Sequence, residues 1–174
     1  MSIRRIEHQE NIPDEGTGRV RRTFAPLCQP DPMTGAVPDS RSAKIAVLHV
    51  TNALQVLHAN GLVHNDVRWS NVVRKQGEET YALVDYDDMI GVDKDGKVPG
   101  IGWMDPTSHA PDISSRHNKT VDLWGLCKMM SELVCQAEDV TGLVNYGTQC
   151  LGHYPKSVLA ESFVSTMEQL CTCT

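Results

Sequence analysis

The sequence predicts an α+β fold that is mainly α-helical and contains one small β-hairpin. Apolar residues recur with a helical period in three segments, at residues 42–59, 121–134 and 157–171. Two short runs rich in β-branched and aromatic residues, 71–74 and 80–84, flank a polar turn with a glycine, which is the pattern of a hairpin. A chain of 174 residues is long enough for one domain with one core.

The N-terminal part of the chain is predicted to contribute little to that core. Residues 1–18 mix acidic and basic side chains and are expected to form a disordered tail, so the domain spans residues 19–174. Within it, residues 19–26 are predicted to form a strand, and residues 29–40, with three prolines and a glycine, a loop. The first helix then runs over residues 42–59 and ends at an Asn-Gly pair, which favours a helix stop.

The later elements supply most of the predicted core. Residues 121–134 are too apolar for a surface helix and are expected to be buried, with Thr120 as the helix cap. The amphipathic segment 157–171 is predicted to pack against that helix. Residues 137–156 give no clear pattern, and residues 94–97 are predicted to form a turn.

Polar side chains concentrate in the loop before the hairpin and at the point where the hairpin ends. Asp66 and Asn71 lie in that loop, and Asp85 follows the second strand. Because the strands of a hairpin pair, Asn71 and Asp85 are expected to lie side by side. Phosphoryl transfer from ATP requires one carboxylate to orient the attacking hydroxyl, and an amide with a second carboxylate to hold the metal ion. Asp66, Asn71 and Asp85 fit these three roles in order.

At these residues the chain resembles the protein-kinase superfamily. The spacing His-x-Asp-x4-Asn matches the kinase catalytic loop. The other matching segments, in chain order, are Asp85-Tyr86-Asp87 for Asp-Phe-Gly, residues 109–112 for Ala-Pro-Glu, and residues 121–126 for the start of the central helix of the large lobe. The pair Arg68-Trp69 and the Asp-aromatic-Asp-Asp motif are most similar to the kinase-like domains of Crinkler effectors and fungal-type kinases.

The resemblance implies an ATP-dependent phosphotransferase that uses Mg²⁺ and acts on serine or threonine side chains of a protein. In that scheme Asp66 orients the acceptor hydroxyl and Arg68 steadies the γ-phosphate. Asn71 and Asp85 bind the Mg²⁺-ATP complex, and Asp87 is a third candidate metal ligand. His64 is expected to be a structural residue packed under the loop. Asp122 is expected to hydrogen-bond the backbone of the loop.

Departures from the kinase pattern leave two alternatives open. The first lysine of the chain, Lys44, already lies in the first predicted helix, and no Gly-rich phosphate loop is present. The expected domain is therefore a hinge and large lobe with most of the small lobe missing, a poor phosphotransferase by itself. One alternative is a catalytically dead remnant that acts as a binding module. Because Asp87 replaces the usual glycine, the other is a small-molecule kinase of the aminoglycoside phosphotransferase type.

Composition excludes several other classes of function. A net charge of −6 and a pI near 5.6 give no electrostatic basis for binding nucleic acid. No run approaches the roughly 20 apolar residues that a membrane span needs. The six cysteines form no Cys-x-x-Cys pair, and we expect them to remain reduced thiols. We therefore expect a soluble intracellular protein, placed in a host cell or its nucleus if it is an effector.

Overall fold

The computed structural model describes residues 9–13, 20–24, 40–75, 78–102, 104–133, 140–154, 165–167 and 169–170. These residues form a mixed α+β fold, as predicted. Its helices are α1 Ser40–Ala59, α2 Thr120–Ser131 and α3 Thr141–Gly152, with a 3₁₀ turn at Trp69–Asn71. Its strands are β1 Gln9–Pro13, β2 Val20–Phe24, β3 Leu62–Val63, β4 Val72–Arg74, β5 Tyr81–Leu83 and β6 Ile90–Gly91.

Helix α1 forms as the apolar pattern predicts. Its buried face carries Val47, Val50 and Leu54, which recur at intervals of three and four residues and so lie on one side of the helix. This face packs against β5 and α2 in the main core cluster. The helix ends before Asn60 and Gly61, and Gly61 adopts a φ of 69°, which a residue without a Cβ adopts at little cost.

The predicted hairpin is present, with its first strand one residue shorter at the start and its second strand one residue shorter at each end than the sequence pattern indicates. Strands β4 and β5 pair antiparallel, with Val72 opposite Leu83 and Arg74 opposite Tyr81. The backbone N–H of Val84 then donates to the carbonyl of Asn71 at 2.8 Å. This last bond brings the start of one strand and the end of the other together, where the candidate site residues lie.

Helix α2 is the buried helix that the sequence predicts, and its start corrects one prediction. Thr120 is the first helical residue and does not cap the helix with its side chain. Instead Oδ1 of Asn118 accepts a hydrogen bond from the backbone N–H of Thr120 at 2.9 Å. The side chain of Asn118, two residues earlier, therefore satisfies a backbone N–H at the start of the helix.

Helix α3 occupies part of the segment that gave no clear pattern. It packs against α2 at Gly147, where an added Cβ would lie 2.6 Å from the carbonyl oxygen of Cys127. A glycine is therefore required for the two backbones to approach this closely. The same glycine lowers the helical propensity of the segment, which is why the sequence pattern alone did not reveal the helix.

The structure confirms the remaining predicted elements only in part. Strand β2 confirms the strand expected at residues 19–26, and its antiparallel partner β1 lies inside the segment expected to be a tail. Strand β3 pairs with β6, a pairing that the sequence did not indicate. Most of the predicted helix at 157–171 lies outside the described residues. Within the described part of the chain, no helix is both long enough and apolar enough to span a membrane.

Candidate functional site

One buried carboxylate anchors the loop that joins β3 to β4, residues 64–71. Asp122 is 1% exposed and lies in the first turn of α2. Its Oδ2 accepts the backbone N–H of His64 at 2.9 Å, and its Oδ1 accepts the backbone N–H of Asn65 at 2.8 Å. Oδ2 also lies 2.8 Å from Nε2 of His58 in α1. The expected contact of Asp122 with the loop backbone is confirmed, and it ties the loop to two helices.

Asn65 adopts a conformation that few side chains tolerate. Its φ is 71°, in the left-handed region where asparagine is among the least strained of the non-glycine residues. The side chain is buried, and both its amide nitrogen and its amide oxygen form hydrogen bonds. Its Nδ2 donates to the carbonyl of Asp88 at 2.7 Å, and its Oδ1 lies 2.9 Å from Nε2 of His117. Asn65 therefore links the loop to two points of the segment between the hairpin and α2.

His64 is a buried structural residue, as predicted. Its side chain is fully buried, and its Nδ1 accepts the backbone N–H of Asp66 at 3.3 Å. The ring also packs on Tyr86, with 5.1 Å between ring centroids. Burial lowers the pKa of His64, although the nearby carboxylates of Asp122 and Asp66 oppose this effect. The neutral imidazole supports the backbone immediately before the candidate catalytic carboxylate.

Asp66 and Asn71 are joined by two hydrogen bonds. Nδ2 of Asn71 donates to the backbone carbonyl of Asp66 at 2.8 Å and to its Oδ2 at 2.7 Å. Both residues are buried, at 4% and 5% exposure. Because the amide nitrogen faces Asp66, the amide oxygen Oδ1 of Asn71 points to the other side. That oxygen is the atom a metal ion would use.

Asp66 has two further partners at its other oxygen. Oδ1 lies 3.0 Å from Nε of Arg68 and 2.9 Å from Nε2 of His109. Arg68 is half-exposed, whereas His109 is buried. Arg68, which was predicted to steady the γ-phosphate, therefore pairs with Asp66 in this structure, and the same carboxylate oxygen meets a histidine that lies 43 residues further along the chain.

Asp85 follows β5 and is exposed beside the loop. Its φ is 65°, in the left-handed region that few non-glycine residues adopt, and such conformations concentrate at functional sites. Asp87 is also exposed, and Asp88 is half-buried. The pKa of Asp88 is raised, first by burial and then by the negative charges of Asp66, Asp85 and Asp87. The four carboxylates therefore share one region of negative potential, which favours a cation.

The oxygen donors of this region fit the chemistry of Mg²⁺. An amide oxygen from Asn71 and carboxylates from Asp85 and Asp87 are hard ligands of the kind Mg²⁺ takes, together with waters and phosphate oxygens. Among the described residues, no three His, Cys, Asp or Glu side chains are grouped closely enough to hold a metal by themselves. A metal ion here would depend on oxygens from nucleotide and water for the rest of its shell.

A polar cavity of about 190 Å³ opens next to the loop. Arg68 and Ser70 line it on the loop side, and Lys128 and Glu132 line it on α2. Ser108, next to His109, closes it from the third side. The cavity therefore adjoins Arg68, one of the partners of Asp66, whereas Asp66 itself does not line it.

Sequence reasoning missed two features that shape this site. The roles of His109 and His117 were not foreseen, because both reach the loop from distant positions; the match of residues 109–112 to Ala-Pro-Glu assigns no contact to His109. Gly125 was also missed. An added Cβ there would lie 2.5 Å from the carbonyl oxygen of Val67, so α2 touches the backbone of the loop. Trp69 is buried, and its indole N–H donates to the carbonyl of Met129 at 2.8 Å, so it packs against α2.

Comparison with known proteins gives a partial relative. No protein-family model matches the chain. Crinkler effector protein 8 of Phytophthora infestans is 35% identical to it over 85 residues. The match covers 47% of this chain and only 14% of the relative's length. The chain is therefore similar to part of an effector protein, in agreement with the Crinkler resemblance, while its wider kinase resemblance stays a prediction.

Proposed function

We propose that this chain carries the catalytic loop and metal-binding carboxylates of an ATP-dependent phosphotransferase of the protein-kinase type, acting within an effector protein. Asp66 orients the acceptor hydroxyl, and Arg68 steadies the γ-phosphate. Asn71 and Asp85 hold Mg²⁺, with Asp87 as a further ligand. Serine or threonine side chains of a protein are the proposed acceptors.

The observation that carries the proposal is the arrangement of Asn71. Its amide nitrogen is bound to Asp66, so its amide oxygen faces away, at the end of the hairpin where Asp85 also lies. One side chain thus links the proposed base to the proposed metal site. A loop that only needed to turn would not require a buried amide whose nitrogen makes two hydrogen bonds to Asp66. The partial likeness to a Crinkler effector supports only the part of the proposal that places the chain within an effector protein.

The chemistry that Mg²⁺-ATP supplies is charge neutralisation and a good leaving group. The residues of the chain supply position. Asp122 fixes the backbone of the loop through two N–H groups, and Asn71 fixes the carboxylate of Asp66. Positioning and electrostatic stabilisation account for most of the catalysis in this class of reaction.

A binding module without catalysis is the second candidate. The burial of Asp66 favours it, because both carboxylate oxygens already have partners and the side chain is only 6% exposed. In this form the chain would bind nucleotide or a partner protein without transferring phosphate.

Nucleotide binding measured with and without Mg²⁺ tests the proposed metal site. We expect calorimetry to show that Mg²⁺ strengthens ATP binding to the chain, since the exposed carboxylates repel the phosphates when no cation is present. Asp85→Asn should remove most of this Mg²⁺ effect. Asp95→Asn is the matched control, because Asp95 is also exposed but pairs with Arg116. Equal ATP affinities with and without Mg²⁺ would contradict the assignment.

A further inference from the structure

His109 is a buried histidine whose two ring nitrogens are both engaged. It lies in the segment between the hairpin and α2 and is 7% exposed. Its Nδ1 is 2.8 Å from the backbone carbonyl oxygen of Asp105. Its Nε2 is 2.9 Å from Oδ1 of Asp66. The ring is thus clamped between the turn that precedes it and the candidate catalytic loop.

The partners of the ring determine how many protons it carries. A backbone carbonyl oxygen can only accept a hydrogen bond, so Nδ1 must carry a hydrogen. An ionised carboxylate can also only accept, so beside an ionised Asp66 the Nε2 atom carries a second hydrogen. A histidine that donates from both nitrogens is an imidazolium cation. With Asp66 ionised, the contact between His109 and Asp66 is an ion pair reinforced by a hydrogen bond.

The charged groups around His109 agree with a positive ring. Asp66 faces it from the loop, and the carboxylate of Asp105 lies near it on its own segment. Arg68 is the opposing cation, and it is half-exposed. The pKa of Asp105 is lowered to about 2, chiefly by hydrogen bonds from Ser108 and Thr107, and the charge of His109 adds to this effect. Two carboxylates thus balance the ring and Arg68.

We propose that His109 is a positioning residue that holds Asp66 through Oδ1 as an imidazolium, so that Oδ2 is the oxygen that receives the acceptor hydroxyl. Oδ1 is occupied by His109 and Arg68, whereas Oδ2 accepts one hydrogen bond from Asn71 and keeps a second acceptor position. The catalytic meaning of this pair rests on the proposed function. In the transfer step, the hydroxyl oxygen bonds to the γ-phosphorus of ATP, the bond to the bridging oxygen of ADP breaks, and the hydroxyl proton passes to Oδ2.

Nitrogen NMR of histidine-labelled protein tests the pair without any need for turnover. At neutral pH, spectra that correlate ring nitrogens with ring hydrogens should show both nitrogens of His109 protonated. His64 is the internal control, because its Nδ1 accepts the N–H of Asp66 and should carry no hydrogen. The spectrum of His109→Gln assigns the signals by the set that disappears.

Asp66→Asn tests whether the second hydrogen depends on the carboxylate. The amide of the variant can itself donate to Nε2, so His109 should become neutral and keep its hydrogen only on Nδ1. An unprotonated Nε2 in the wild-type protein would overturn the proposal, even if Asp66→Asn failed to fold. A His109 that stays doubly protonated in a folded Asp66→Asn variant would equally overturn it.

Kinetics then test the catalytic meaning in the longest natural protein that contains this sequence. His109→Leu should lower kcat by about 10–100-fold with KM little changed, an effect of the size seen when an orienting partner of a functional side chain is lost. His109→Gln, which keeps one donor, should recover part of that loss. A change confined to KM would contradict the positioning role. If the wild-type protein transfers no phosphate, the proposed function fails while the NMR result still decides the ion pair.

Discussion

Asp122 offers a sharp structural test, because one carboxylate serves three donors in a place where water cannot replace it. Asp122→Asn keeps the size of the side chain but leaves a single acceptor oxygen. Whichever way the amide turns, one of the backbone N–H groups of His64 and Asn65 faces an NH₂ group instead of an oxygen. The loop should then lose its fixed position on α2.

The magnitude follows from the contacts. A buried N–H without an acceptor costs about 1–3 kcal/mol, and the remaining bonds lose roughly 1 kcal/mol each when the acceptor is no longer charged. We therefore expect the free energy of unfolding to fall by about 3–5 kcal/mol, the range for breaking a buried charged network. Urea denaturation followed by far-UV circular dichroism measures the change.

Hydrogen exchange shows whether the loss is local. The amide hydrogens of His64 and Asn65 should exchange much faster in Asp122→Asn than in the wild-type protein. Asp95→Asn is the control, since its pair with Arg116 is exposed to solvent and should contribute little to the free energy of unfolding. A loss below about 1 kcal/mol for Asp122→Asn, with unchanged exchange of both amides, would show that Asp122 does not hold the loop in place.

Two further outcomes are expected. Gly125→Ala should lower the free energy of unfolding by about 1–2 kcal/mol, because overpacking against Val67 costs more than the alanine gains in helical propensity; Gly152→Ala, with open space around the site, should not lower it, and equal effects of the two changes would contradict the close approach. The carboxyl NMR signal of Asp105 should titrate near pH 2 rather than 3.8, and Ser108→Ala should raise that pKa. Since the folded pKa lies below the unfolded one, the stabilisation is present above about pH 4 and is lost as the pH falls toward 2; a wild-type value near 3.8 would contradict it.

The fold was predictable where local pattern and packing agree. Helix α1 has apolar residues on one face and an Asn-Gly stop, and the hairpin has two β-rich runs around a turn, so both could be inferred from short windows of sequence. Helix α3 could not, because Gly147 is present for close contact with α2 and lowers the helical signal of its own segment. Tertiary packing decided that element.

In the candidate site, too, the local arrangement was predictable from the sequence and the long-range contacts were not. Asp66, Asn71 and Asp85 lie on one loop and one hairpin, so the pairing of two strands was enough to predict that they come together. His109 and His117 reach the loop from about 40 residues or more away. No periodicity or motif in the chain says which histidine will contact which loop residue, and only the folded backbone places them.

Transfer of the γ-phosphate of ATP to protein, measured in the longest natural protein that contains this sequence, tests whether this loop is the site of phosphoryl transfer. We predict that Asp66→Asn lowers the turnover about 10²–10⁴-fold, as expected for the loss of a positioned acid or base, while circular dichroism shows an unchanged fold. Asp95→Asn should leave the turnover unchanged. Turnover of Asp66→Asn within a factor of a few of the wild-type protein would contradict the assignment of this loop as the site of phosphoryl transfer.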